Sequence, residues 1–589
     1  MVQRKRMKLI AVCLLMAMMV LAGRLMQIQL FQTEHFSKHR VNLLKESVKQ
    51  RTHEIILDDG RGQFLDRDGK PLSYEEKQVL VLFPFIRHLD WKNDRLGQIL
   101  NVPAKELEKA VHHAEKPFVF GGKEPFILDD SQAAAINALK IPGAYAVAKK
   151  YEPSTGIAGQ LIGIASENER VFNERYPKKV NSQSMKIGVT GLQESFDEFL
   201  LPESEAKLIY HVDGIGAPLF GIDVKYTGQG NSFYPLEVQT TIDRRLQAGM
   251  EEILDKNGVS RGGAILLNIE TNDILAVASR PRIKPGDPFS NEGTKNLMFD
   301  QHVPGSVFKT AVAAAAMEKG LVDEGEAFNC SLDIRGEAAE RNLGMLNLRS
   351  SFSQSCNRIF GELAARLMKA DPQLLDDYAR KLGLTGAASW EGTVFHVKGF
   401  KQFAHDKGKV FADDESRKDA NFVVQTGIGQ HEVRVTPVGV ANMMAAIARG
   451  GEKKKIRAAT AIQYGNGSPM YSFPVLNDSE ESISKYTAIR MQQLLRSVVT
   501  DEKGTGSLFR ELPYQVAGKS GTAETGILRD GRQLYHKWFA GYFPFENPKF
   551  SLVVVNMDVH EDQGAVNPIY AEMVSMIFHE SETDGENGY

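Results

Sequence analysis

Leu9–Gly23 is an almost wholly apolar run without a charged residue, and apolar positions resume after Arg24 at Leu25, Met26, Ile28 and Leu30. A helix over that run alone, at about 1.5 Å per residue, falls short of a roughly 30 Å hydrocarbon layer. Lys8 and Arg24 can snorkel, however, and Leu25–Leu30 lengthen the segment. Arg4, Lys5, Arg6 and Lys8 precede the run, a positive-inside bias that places the N-terminus in the cytoplasm and the remainder outside. A cleaved signal peptide is the competing reading, because Val20-Leu21-Ala22 resembles a small-residue cleavage site. The apolar pattern runs on past that site, which favours an uncleaved anchor over residues 1–30.

Residues 31–230 alternate short mixed segments with turn signals such as Asp68-Gly69-Lys70-Pro71, plus an amphipathic stretch near Asn93–Glu115. A strand-like alternation at Leu236–Asp243 runs into a helix with Leu246, Met250, Ile253 and Leu254 on one face, ending at Gly258. Two strand-like runs, Ala264–Ile269 and Ile274–Ala278, predict a hairpin. A mostly helical stretch from Ser306 to about Val499 follows. Strands return at Lys537–Phe545 and Phe550–Asp558, and a last helix spans about Pro568–His579. Strands from both ends enclosing a helical middle predict an α+β domain over 231–580, built on one antiparallel sheet. Residues 581–589 read as a disordered polar tail, and the charged stretch Lys398–Asp419 as a mobile loop.

Composition narrows the function. The 589 residues carry 71 Lys+Arg against 74 Asp+Glu, so no basic excess favours nucleic acid. Three cysteines, with Cys13 inside the apolar run, make a poor disulfide framework. No histidine spacing suggests a metal site: the His-Glu pairs at His53 and His431 lack the second His of a zinc helix.

The chemistry centres on Pro304-Gly305-Ser306-Val307-Phe308-Lys309, which opens an alanine-rich helix. Spacing i, i+3 puts the Ser306 hydroxyl and the Lys309 amine on one helical face. A serine needs a neighbouring base, and a lysine serves if burial or a second cation lowers its pKa. Ser-x-x-Lys also occurs at Ser204/Lys207 and Ser482/Lys485, so the pattern alone decides little. Ser355-Cys356-Asn357 and then Lys519-Ser520-Gly521-Thr522 follow in order, and Lys-Ser-Gly occurs once.

That ordered triple resembles the motif set of penicillin-binding proteins and serine β-lactamases. Arg61–Gly69, Gly188–Asp197, Gly262–Ser279 and Gly427-Ile-Gly429-Gln430 with Thr436-Pro437 are similar to segments of class B penicillin-binding proteins. Gln193 and Phe196 stand where that family more commonly has Glu and Tyr.

The resemblance implies an anchor, an irregular α/β pedestal over 31–230, and a transpeptidase domain with helices on both sheet faces and an all-helical subdomain. It also implies a serine D,D-transpeptidase that cross-links peptidoglycan stem peptides ending in D-Ala-D-Ala, without cofactor or metal, and is acylated by β-lactams. Ser306 would be the nucleophile and Lys309 its base, neutralised by repulsion from Lys519. Ser355 would relay a proton, and Asn357 would hold Lys309 and the substrate amide. Lys519, Ser520, Gly521 and Thr522 would take the terminal carboxylate, with the N–H groups of Ser306 and Thr522 as oxyanion hole. Cys356 is expected to be a free, packed thiol. The implied partners are stem peptides, β-lactams, the cell membrane and other cell-wall synthesis membrane proteins. A D,D-carboxypeptidase using water, or a non-hydrolysing β-lactam sensor or scaffold, is the alternative. The Glu-x-x-Leu-Asn segment of class A β-lactamases is absent between Asn357 and Lys519.

Overall fold

The computed structural model describes residues 2–36, 41–152, 156–178, 185–213, 219, 224–228 and 230–586. Helix α1 (Val2–Met26) continues through a short π-helical turn to Phe31, and the most apolar 18-residue window within Arg4–Phe31 has a mean hydropathy of 2.4. Continuation beyond Arg24 supplies the length that the uncharged run lacks, so this helix is long and apolar enough to cross a membrane.

The chain divides into two compact units. The first comprises Met1–Gly60, Glu75–Tyr151 and Glu203–Asn231. Strand Glu75–Leu82 is central in a three-stranded sheet, antiparallel to Phe118–Val119 on one side and Ala144–Tyr151 on the other. The amphipathic stretch forms two helices, Asn93–Leu100 and Ala104–His113, whose Leu96, Leu100, Leu107 and Val111 are buried. Three residues, Leu80, Leu82 and Tyr210, join those side chains in the unit's core.

The second unit comprises Arg61–Tyr74, Glu152–Pro202 and Ser232–Tyr589. Arg61–Tyr74 and Glu152–Pro202, two parts of the stretch expected as pedestal, thus pack within this unit through specific pairing. Gln63–Leu65 lies parallel to Glu237–Gln239. Arg61, fully buried, donates to Asp197 Oδ1 at 2.7 Å and to Gln193 Oε1 at 2.8 Å. Gln193 thus accepts from the arginine through a neutral amide, and Asp197 pairs it with a carboxylate.

The main sheet of this unit is antiparallel throughout. It orders β2 (Ile274–Arg280), β1 (Gly262–Asn268), β5 (Phe550–Val559), β4 (Arg532–Phe543) and β3 (Ala517–Arg529). Strands β1 and β2 are buried on both faces apart from Asn268, which explains their continuous apolar runs. On one face α2 (Arg244–Lys256), capped by Asp243, packs Leu246, Met250 and Leu254 with Tyr570 and Met573 of the last helix. On the other, α3 (Lys309–Glu318), α4 (Leu348–Ser353), α5 (Asn357–Ala370), α6 (Pro437–Ala448) and α7 (Lys485–Thr500) share one large core with Ile265, Val277 and Val553. Thr436 caps α6 by accepting from Gly439 N at 3.1 Å, with Pro437 at its first position, so the Thr-Pro pair is a helix start.

Two local expectations change. Residues 398–419 form a packed segment rather than a free loop. Strand Val397–Lys401 pairs with Glu391–Val394, Phe403 stacks on Phe299, and Phe400, Val410 and Phe411 are buried. Apolar side chains scattered among the charges anchor it. The final helix, α8 (Val566–Glu586), extends through the first residues of the expected disordered tail, while 587–589 lie outside the described residues.

Candidate active site

Ser306 occupies a 3₁₀ turn, Gly305–Val307, that feeds directly into α3. Glycine is required beside it. Gly305 has φ +55°, and a Cβ there would lie 2.4 Å from Thr522 O; a Cβ on Gly521 would lie 2.7 Å from Pro304 O. The nucleophile turn and strand β3 therefore approach backbone to backbone, as only glycine permits. Gly429 completes the contact: Gly305 N donates to its carbonyl at 3.0 Å, and a Cβ on Gly429 would sit 2.0 Å from Gly305 O. Trp538 on β4 ties the approach by donating to Val303 O at 3.0 Å. His302 and His536 meet edge to face behind the turn. Burial first, then nearby cations, pushes both imidazoles to about 4, so both are neutral struts.

Lys309 and Lys519 are both fully buried. Lys309 Nζ donates to Asn357 Oδ1 at 2.7 Å and to Ser355 O at 3.0 Å, and lies 3.2 Å from Ser355 Oγ. Lys519 Nζ donates to Ser355 Oγ at 3.1 Å and to Ser520 O at 3.1 Å. One hydroxyl thus stands between two amines. The rings of Phe360 and Phe352 flank them, 5.4 Å and 5.7 Å from Lys309 and Lys519. Ser355 reaches this position from a left-handed backbone, φ +60°, in the break between α4 and α5. Such a conformation in a non-glycine residue costs about 1–3 kcal/mol and is held by its surroundings.

The electrostatics follow from the lack of a counter-ion. Burial holds the Lys309 amine well below the ordinary 10.5, with the charges of Lys519 and then Arg341 adding to it. Burial is the larger cause and repulsion from Lys519, the cause expected from the resemblance, the smaller. Lys519 is brought down to about 7, by burial and then Arg341. A neutral amine has two N–H groups and one lone pair. Asn357 Oδ1 and Ser355 O can only accept, so they take the two N–H groups and leave the lone pair for a hydroxyl.

The structure gathers Lys309, Ser355, Asn357 and Lys519 into one cluster beside Ser306. Ser520 faces away from the lysines and donates to Thr505 Oγ1 at 2.8 Å; Thr522 is exposed on the same strand. Thr505 was not foreseen. Its amide donates to Ser353 O, and its carbonyl accepts from Asn567, so it links α4, β3 and α8. The flanking Gly504 and Gly506 were the available signal. Arg341 was also missed. Cys356 is not free: it forms a disulfide with Cys330, 26 residues away. The odd count misled because Cys13 lies apart in α1, leaving an even pair. Among the described residues no cluster of His, Cys, Asp and Glu could hold a metal.

Comparison with known proteins is informative at this point. The family model for the penicillin-binding protein transpeptidase domain matches residues 262–575. The peptidoglycan D,D-transpeptidase FtsI of Escherichia coli K12 is 26% identical over 94% of this chain and 87% of its own length. Stage V sporulation protein D of Bacillus subtilis is 24% identical over 98% of this chain and 85% of its own. A solved chain from work on polymerization and crosslinking by a peptidoglycan synthase complex aligns with a TM-score of 0.66 at 21% identity. It covers 97% of this chain and 98% of that one, and shows the same fold. Together with α1, these relatives mark a membrane-anchored protein.

Proposed function

The chain belongs to the penicillin-binding protein transpeptidase family, and from that premise we propose how its own residues carry D,D-transpeptidation. It is a serine enzyme that cross-links peptidoglycan, and β-lactams are its covalent inhibitors. The observation that carries the mechanism is the pair of buried lysines joined through Ser355 Oγ, without a carboxylate, one helical turn from Ser306.

In the first step the neutral Lys309 amine takes the Ser306 proton as Oγ attacks the penultimate D-Ala carbonyl. The N–H groups of Ser306 and Thr522 stabilise the oxyanion. The peptide C–N bond breaks, and the leaving amine of the terminal D-Ala takes a proton passed from Lys309 through Ser355. In the second step an acceptor amine attacks the ester, the new C–N bond forms as the ester C–O bond breaks, and the proton lost by the amine returns to Ser306 Oγ. Asn357 keeps Lys309 oriented, and Lys519, Ser520, Gly521 and Thr522 form the edge on which the terminal carboxylate lies. Basic residues ahead of the apolar run support a cytoplasmic N-terminus, and a disulfide in the catalytic unit fits an oxidising, external compartment. Stem peptides are the substrates; other cell-wall synthesis membrane proteins are the partners such an anchor would meet.

The test is labelling of the full chain with a fluorescent penicillin, wild type against Ser306→Ala. Label on wild type only is expected, and equal label on both would overturn the nucleophile assignment. Mass analysis of products from a pentapeptide donor plus an acceptor amine should give cross-linked dimer; trimmed tetrapeptide alone would favour carboxypeptidase activity.

A further inference from the structure

Arg341 belongs to no motif, yet it stands at the catalytic cluster. Its Nη2 approaches Ser355 O at 3.5 Å, the same carbonyl that accepts from Lys309. The residue is exposed, and among the described residues it forms no ion pair. Its placement is fixed. The Cys330–Cys356 disulfide closes both ends of the segment that holds Arg341 and Ser355. Within that loop Cys330 N donates to Gly344 O at 2.8 Å, and Ser331 Oγ to Asn342 Oδ1 at 2.6 Å. Two of the loop's acids are engaged elsewhere: Asp333 accepts from the backbone of Arg335 and Glu337, and the charge of Glu340 is felt by Tyr535. Arg341 and the amines of Lys309 and Lys519 all reach Ser355, and among the described residues no carboxylate is bonded to any of the three. A cluster so built gains most from an anionic ligand, and a guanidinium presents the fork that matches a carboxylate.

We propose that Arg341 is a specificity-determining residue that receives the C-terminal carboxylate of the donor stem peptide, alongside the Lys519–Thr522 edge. The assignment rests on the transpeptidase reading. It makes the disulfide-tied loop part of substrate selection, and it gives an exposed arginine beside the nucleophile a ligand.

The experiment compares Arg341→Ala and Arg341→Lys with wild type, all as full-length enzyme. The donors are one pentapeptide ending in D-Ala and the same peptide ending in D-Ala amide, with acyl-enzyme formation followed by mass. Loss of a charge-assisted contact should cut kcat/KM for the acid donor about tenfold or more in Arg341→Ala, mostly through KM. The amide donor should change no more than about twofold, because it lacks the partner charge, and Arg341→Lys should recover much of the loss. Equal losses on both donors, or a loss on neither, would overturn the proposal. A wild-type enzyme that neither labels with fluorescent penicillin nor releases D-Ala from the acid donor would instead defeat the transpeptidase reading.

Discussion

Two lysine pairs in the catalytic unit are held in opposite ways. Lys453, with 1% of its side chain exposed, sits 3.8 Å from Asp478 Oδ2 and 3.6 Å from Glu480 Oε2, while Lys455 is 3.2 Å from the same Asp478 oxygen. Burial lowers the Lys453 amine, but both carboxylates pull it back toward the charged form. Lys309 and Lys519 meet only carbonyls, hydroxyls, aromatic rings and each other, and both amines fall much further. The same side chain is thus a structural cation at one site and a base at the other. Lys309 and Lys519 are the more deeply packed, and the missing counter-ion adds to the difference.

The sharpest way to break this comparison is to remove each lysine in turn. Lys309→Met should slow acylation by fluorescent penicillin about 10²–10⁴-fold, since a general base is lost. Lys453→Met should leave labelling within about twofold and instead destabilise the fold by about 1–3 kcal/mol, because Asp478 and Glu480 lose a partner. Thermal melts and labelling rates on both variants decide it, and a melt-only phenotype for Lys309→Met would erase the distinction. Next in size is the disulfide, which closes the loop ending in the lysine-binding Ser355. Replacing Cys330 and Cys356 by Ser should cost about 3 kcal/mol by chain-entropy reasoning, read by urea unfolding. Labelling should fall with it.

A further effect concerns pH. Lys519 titrates at about 7 when folded against an ordinary 10.5. Between those values the unfolded chain binds a proton that the folded protein does not, so stability gains a component that rises with pH across that window. Lys519→Met should flatten this rise between pH 7 and 10, measured by urea unfolding at several pH values. An unchanged slope would mean that Lys519 keeps its charge in the fold.

Much of the catalytic unit was legible because its signals are periodic or local. The β1–β2 hairpin, the buried face of α2, and the serine, lysine and asparagine motifs each declare themselves within a few residues. What was not legible depends on distant partners. Arg61 reads as a loop charge until Asp197 and Gln193 arrive to pair with it. Residues 398–419 read as mobile because Phe400, Phe403 and Phe411 follow no regular period, although each finds a place in the core. Arg341 sits in a polar, unpatterned loop, and nothing local marks it. Cys356 looked unpaired only because all three cysteines were counted together.

The central claim is that Lys309 is neutral, and therefore basic, at the pH where the enzyme works. The pH dependence of Ser306 acylation by a β-lactam in the full-length protein tests it most directly. The rate should reach its plateau at or near neutral pH, with an acid limb well below the ordinary lysine value. A rate that keeps climbing to about pH 10, as for an unperturbed lysine, would contradict it.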